Sequence, residues 1–334
     1  MRSEGLSRRQ ALGALGAVAA TLALPATAAF ARPLPDRGVN IPLWLDQNDG
    51  SDQPPGDAAL RFLRQSGFGS IRLPLSPERF AAGGTAEQRR LRDALARLDR
   101  FAFSVTLDLH PLGAFRDELE LSPGLEALLV RALSAIAEVA ADHDPDRIFV
   151  ELLNEPPLWQ DRWLPLRDRL AAAVRARTDD HTIVWGANRF QSITETLNCP
   201  PLTDSRACAA VHYYLPMSFT HQCQNWGATS QVSAAAVMFP GPDGGIAEIE
   251  ADFERLAGWM RTTGTPVLLN EFGTLGVCSD DASRAVWTST VRRAAEANGI
   301  GWSYWEFDRG FGFVEDRQDV GAINQRLLDS LVRA

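Results

Sequence analysis

Hydrophobic and polar positions switch between two periods along this chain. Short apolar runs of strand length recur at Gly38-Val39-Asn40-Ile41, Ser70–Leu73, Phe103–Leu109, Ile148–Leu153, Thr182–Trp185, Ala209–Tyr213, Pro266–Leu269 and Gly301–Trp305. Amphipathic stretches between them predict helices. These are Ala58–Gln65, stopped by Gly67; Ala86–Arg100, with Leu91, Leu95 and Leu98 on one face; a long helix capped by Ser122 and reaching Ala141; Trp163–Arg177; Ile246–Arg261; Asp281–Asn298; and Asn324–Val332. Asn188–Arg206 reads as irregular, and a Gly/Pro-rich loop follows the sixth strand up to Gly245.

Strands that alternate with helices imply parallel β-α-β units. No composition break divides them, so one domain is expected, either a closed barrel or a doubly wound open sheet. The polar residues favour closure. Arg72, His110, Asn154, Glu155, His212, Tyr214, Glu271 and Trp305 stand at or just past the C-terminal ends of six different strands. An open sheet would spread them along a line; a barrel gathers them around one mouth. The expected fold is α/β, a single (β/α)8 TIM barrel with extended loops at its C-terminal face.

Composition narrows the function classes. The 334 residues are 45% hydrophobic and 22% charged, which excludes disordered, collagen-like and polytopic membrane chains. A formal net charge of −9 argues against nucleic acid or an anionic membrane as partner. All 33 basic residues are Arg, which excludes Schiff-base lysine and P-loop chemistry.

The first 31 residues read as an address. Ser7-Arg8-Arg9-Gln10-Ala11-Leu12 precedes an uncharged Ala/Gly/Leu run ending in Ala26-Thr27-Ala28 and Ala29-Phe30-Ala31, which is a twin-arginine signal peptide with two cleavage sites. Pro25 and the small residues argue against a stable membrane anchor. Residues 32–334 are then the catalytic domain, exported to the periplasm or beyond and expected as a monomer. Export bears on Cys199, Cys208, Cys223 and Cys278, because an oxidising compartment favours bridges. No CxxC spacing points to zinc. The expected pairs are a short local loop, Cys199–Cys208, and Cys223–Cys278, which would tie the loops after the neighbouring sixth and seventh strands. Free buried thiols are the alternative.

Two glutamates carry the chemistry. Glu155 lies in Leu153-Asn154-Glu155-Pro156, and Glu271 in Leu269-Asn270-Glu271-Phe272-Gly273. Each follows an apolar strand and precedes a residue that turns the chain. Pro156 is expected to keep Glu155 extended and aimed into the mouth. Two carboxyl groups on one rim suit glycosidic bond cleavage, one as acid and one as nucleophile. No G-x-S-x-G elbow supports a serine hydrolase. Asp108 and His110 share a strand face, but no third ligand makes them a metal site. His143 reads as an exposed helix end, and His221 as a loop residue.

These residues resemble glycoside hydrolase family 5, the cellulase-type retaining β-glycanases. The resemblance runs from Gly38-Val39-Asn40 to Trp305 and rests on the Arg, the His, the Asn-Glu pair, the His-x-Tyr, the second Glu and the Trp in that order. It implies that Glu155 is the acid/base and Glu271 the nucleophile, with Asn154 on the sugar 2-hydroxyl. Arg72 would keep Glu271 ionised, and Tyr214 would donate to it. His110 and His212 would line the reacting subsite. Trp305 would form the floor, with a cis bond to Glu306. The resemblance also implies no cofactor and a carboxyl separation of about 5–5.5 Å. Trp44, Trp159 and Trp226, just after strands, are candidate sugar platforms, whereas Trp259 and Trp287 belong to helix packing.

The expected activity is an exported endo-β-1,4-glucanase. No separate carbohydrate-binding module follows the barrel, so a soluble glucan or exopolysaccharide is the expected substrate. β-Mannan, xyloglucan and β-1,3- or β-1,6-glucan are alternatives on the same fold. A barrel that binds glycans without cleaving them is the other class.

Overall fold

Side chains that alternate along each strand build two apolar surfaces, and the chain satisfies both by closing the sheet. A computed structural model describes residues 33–333, apart from 83, 114–115, 117, 120–121 and 225–235. Eight parallel strands form a closed barrel in sequence order: β1 Arg37–Asn40, β2 Ser70–Leu75, β3 Ser104–Leu109, β4 Ile148–Glu151, β5 Thr182–Gly186, β6 Ala207–Tyr213, β7 Val267–Phe272 and β8 Gly301–Tyr304. β1 pairs with both β2 and β8, which closes the ring and leaves it no edge. The open-sheet alternative is thereby excluded.

The helices are α1 Asp57–Gln65, α2 Pro77–Ala82, α3 Gly84–Asp99, α4 Glu126–Ala140, α5 Gln160–Arg175, α6 Ile193–Asn198, α7 Met217–Thr220, α8 Ile246–Thr263, α9 Asp281–Ala297 and α10 Gln325–Val332. Their apolar faces, such as Leu91, Leu95 and Leu98 of α3, are buried against the outward residues of the strands. Asp280 caps α9 and Asn324 caps α10, each accepting from backbone N–H groups of the first turn. A smaller apolar cluster of Phe149, Val184, Cys208, Ala210 and Leu268 plugs the barrel interior. At the bottom of the barrel Gly38 is required by close approach, since a Cβ there would lie 2.4 Å from the hydroxyls of Ser70 and Ser303.

Three local expectations are corrected. The stretch Asn188–Arg206 is not wholly irregular. It contains α6, capped by the Ser192 hydroxyl, which accepts from the Glu195 N–H at 3.2 Å. Val314–Asp316 and Val320–Ile323 form an unanticipated antiparallel hairpin after β8. The pair Cys199–Cys208 is not bonded; both cysteines are free and buried. Cys208 points into the barrel interior, whereas Cys199 sits at the end of α6 with its sulfur 3.9 Å from Arg167 of α5. The strand layer separates them. Cys223 and Cys278 are bonded, with Cα atoms 6.0 Å apart, and tie the β6 and β7 loops as expected. The signal segment lies outside the described residues. No helix among the described residues is long and apolar enough to cross a membrane.

Candidate active site

A buried arginine organises the mouth. Arg72 on β2 is fully buried, and its guanidinium is spent on five neighbours, one of them Asn40 Oδ1, which accepts from Nη1 at 3.0 Å. Nε and Nη2 grip both oxygens of Glu151 at 2.7 and 2.9 Å. Nη2 also reaches Asn154 Oδ1 at 2.8 Å and Asp108 at 3.0 Å, and Nη1 reaches Glu271 Oε2 at 3.1 Å. An Arg in the apolar strand Ile71-Arg72-Leu73 is tolerable only because these partners replace water.

Glu271 reaches this hub through an irregularity in β7. The register with β6 slips between Val211 and His212, so that His212 opposes Glu271. Strict alternation would let only one of Asn270 and Glu271 face inward. The bulge turns both in. Asn270 Nδ2 donates to Glu151 at 2.8 Å, and Glu271 pairs with Arg72, while Phe272 packs outward against Trp287 and Trp302. Tyr214 donates its hydroxyl to Glu271 Oε1 at 2.8 Å. Burial holds the Tyr214 hydroxyl well above its usual pKa, so it remains a donor.

Glu155 enters the mouth by a different device. It is not extended, as Pro156 was expected to enforce, but left-handed with φ 42°. This reversal lets the consecutive Asn154 and Glu155 both face the mouth. Glu155 Oε1 meets His212 Nδ1 at 3.1 Å, and Oε2 meets the half-exposed Arg116 at 3.4 Å. The Glu155 N–H donates to Gln191 Oε1 at 2.6 Å.

His212 lies between the acids, with Nδ1 3.5 Å from Glu271. Burial lowers its pKa to about 4, so near neutral pH it is an uncharged donor to Glu155. One oxygen of Glu155, one of Glu271 and a His212 nitrogen lie within 4.8 Å of one another. Such a trio has the donors for a cation, but Arg72 and Arg116 already occupy its carboxylates with positive charge. His110 Nδ1 is 2.6 Å from Asp108 Oδ2, and its ring stacks on Trp305 with centroids 5.7 Å apart. With Nδ1 donating to Asp108, Nε2 accepts from Asn154 Nδ2 at 3.4 Å. Trp305 is joined to Glu306 by a cis bond, as expected.

Burial raises the pKa of both glutamates above the ordinary carboxylate value. Arg72 opposes this at Glu271 but does not outweigh it, because its charge is shared with Glu151 and Asp108. The expectation that Arg72 keeps Glu271 ionised is therefore corrected in part. Two carboxyls this close share a proton. Arg72 and Tyr214 hold Glu271, while His212 and Arg116 hold Glu155.

Sequence reading missed Glu151, Gln191 and Arg116. Glu151 had a signal, since an ionisable residue inside an apolar strand needs a buried partner; Gln191 had none. Among the platforms, Trp159 is 60% exposed and carries the Arg189 guanidinium 4.1 Å above its ring. Trp44 is corrected: it is 5% exposed, with Arg97 of α3 against it, so it packs the wall and offers no open face. Trp226 lies outside the described residues. Trp287 is fully buried and Trp259 packs against the core, as expected.

A closed parallel barrel whose mouth holds two close carboxyls beside Asn154 and Trp305 fits the glycoside hydrolase class. The family described as cellulase (glycosyl hydrolase family 5) matches residues 34–310, and the chain belongs to that family. It is 24% identical over 345 residues to Endoglucanase 3 of Fibrobacter succinogenes, covering 87% of this chain and 52% of that protein. The chain thus spans about half the length of that relative. A solved endoglucanase superposes with a TM-score of 0.80 at 25% identity, covering 90% of this chain and 97% of the other. Thermotoga maritima Cel5A in complex with mannotriose has the same fold, with a TM-score of 0.79 at 23% identity and coverage of 89% and 97%.

Proposed function

We propose that this protein is a retaining endo-β-1,4-glucanase acting on a soluble β-glucan or exopolysaccharide. The observation that carries the reading is the approach of Glu155 and Glu271 oxygens to within 4.8 Å. That close approach fits a retaining pair, with carboxyl groups about 5–5.5 Å apart, better than an inverting pair at about 6.5–9.5 Å. Glu271 attacks the anomeric carbon while Glu155 gives its proton to the departing glycosidic oxygen. A covalent glycosyl-enzyme results. Glu155, now ionised, takes a proton from water; the water oxygen bonds to the anomeric carbon, and Glu271 leaves as carboxylate. Asn154, with Oδ1 held by Arg72, directs its Nδ2 toward the sugar 2-hydroxyl, and Trp305 stacks on the ring.

The β-1,4-glucan substrate draws support from the endoglucanase relatives, and the mannotriose complex of T. maritima Cel5A makes mannan the second polymer to test. Reducing-sugar release should be measured across soluble β-glucans, mannan and xylan, beside Glu155→Gln and Glu271→Gln. Activity on a β-1,4-glucan, lost in both variants and giving the retained anomer by proton NMR, is expected. An inverted product would overturn the nucleophile role. Export by the twin-arginine route rests on Arg8 and Arg9. Replacing both by Lys should leave the enzyme inside the cell, and unchanged secretion would refute the route.

A further inference from the structure

We propose that Gln191 is a positioning residue that sets the proton-donating geometry of Glu155. This rests on the acid role assigned to Glu155 above. Gln191 is fully buried in the loop after β5, and it grips two neighbours at once. Its side-chain Oε1 accepts the Glu155 N–H at 2.6 Å, and its backbone C=O accepts the His212 N–H at 2.9 Å. His212 in turn bonds Glu155 Oε1 at 3.1 Å. One residue thus ties the backbone beneath the acid to the strand that carries its side-chain partner.

Two further features of the chain serve this contact. Arg189, Phe190 and Gln191 are consecutive left-handed residues, with φ of 48°, 69° and 55°, a conformation that non-glycine residues adopt rarely and that here folds the loop back over β5. Gly186, the last residue of β5, makes the room. A Cβ there would lie 2.1–2.3 Å from the Gln191 side chain. The amide orientation is set by chemistry, because only the oxygen can meet an N–H donor. Glu155 at φ 42° has no local reason to hold that conformation, and the Gln191 oxygen supplies one.

An acid displaced by about 1 Å loses on the order of 10²-fold in rate, but only where the leaving group needs a proton. The test compares kcat/KM, which reports the first bond cleavage, for a soluble β-glucan and for a dinitrophenyl β-cellobioside whose leaving group departs unprotonated. Gln191→Ala is expected to lose about 10²-fold on the polymer and less than about threefold on the aryl glycoside. Gln191→Glu, which keeps the acceptor, should recover most of the polymer activity. An equal fall on both substrates would make Gln191 merely structural and overturn the proposal, and no fall on either would also overturn it. Glu155→Gln runs beside them. If it too falls equally on both substrates, the acid role itself fails, which separates that failure from one confined to Gln191. Should Gln191→Ala not fold, the same comparison on Gln191→Asn, which shortens the reach by one methylene, decides.

Discussion

Replacing Glu151 by Gln should destabilise the fold and move the acidic limb of activity in the same experiment. Glu151 is fully buried and receives three donors: Arg72 Nε at 2.7 Å, Arg72 Nη2 at 2.9 Å and Asn270 Nδ2 at 2.8 Å. Glutamine keeps one oxygen but turns an NH₂ group toward a guanidinium N–H. One charge-assisted bond, about 1.5–3 kcal/mol, becomes a donor facing a donor. Breaking a buried ion pair costs about 3–5 kcal/mol, and Arg72 keeps Asp108 at 3.0 Å and Glu271 at 3.1 Å, which places the loss near the lower end, about 3 kcal/mol. The guanidinium charge that Glu151 neutralised then falls on Glu271 and lowers its pKa. Glu271 must be ionised to attack, so activity rises as pH climbs through its pKa, and a lower pKa shifts the acidic limb of kcat/KM to lower pH. Urea unfolding at neutral pH and a kcat/KM–pH profile check both consequences. Stability within about 0.5 kcal/mol of the parent, or an acidic limb that moves upward, would refute the reasoning.

Glu306 is buried beside Trp305, and burial pushes its pKa from 4.5 to about 8. The folded protein therefore holds this proton where the unfolded chain has released it. Its stabilising contribution is complete below 4.5 and is lost as pH rises through about 8, at up to about 1.4 kcal/mol per pH unit. Glu306→Gln should flatten the fall of urea stability over that window; curves parallel to the parent's would contradict it. Trp159→Ala should raise KM for the polymer by up to about tenfold, the worth of one ring–sugar stack, with kcat and stability near the parent's; an unchanged KM would remove Trp159 from the cleft. Thiol titration of the denatured, unreduced protein should find the two cysteines Cys199 and Cys208, and all four after reduction. The Cys223–Cys278 bridge spans 55 residues, so reduction should cost up to about 4 kcal/mol by loop entropy, and an unchanged unfolding midpoint would argue against that account.

Much of the fold was legible because its signals are local. Eight apolar runs separated by amphipathic stretches predicted all eight strands and their parallel order, with ends displaced by a few residues. The shorter elements escaped. α6 spans six residues in a polar stretch, where the Ser192 cap was the only mark, and the turn of the hairpin after β8 is held by Arg317 and Gln318 donating to the distant carbonyls of Pro42, Gln53 and Pro54. Trp44 looked like a platform by its position after a strand, but position along the chain says nothing about which side of the wall a ring takes.

The strand-end chemistry, Arg72, His110, Asn154, Glu155, His212, Tyr214, Glu271 and Trp305, was set by the sequence alone. A β-strand ends where its apolar run ends, and a closed barrel must bring those ends together. Only the tertiary structure decided how two adjacent residues, Asn154 with Glu155 and Asn270 with Glu271, could both face one mouth. Alternation has a strict period of two and forbids it. A bulge in β7 and a left-handed Glu155 break the period, and each is held by partners remote in sequence, among them Glu151 and Gln191. Hydrogen bonds between distant strands fix register and backbone reversal, and no local pattern of residues encodes them.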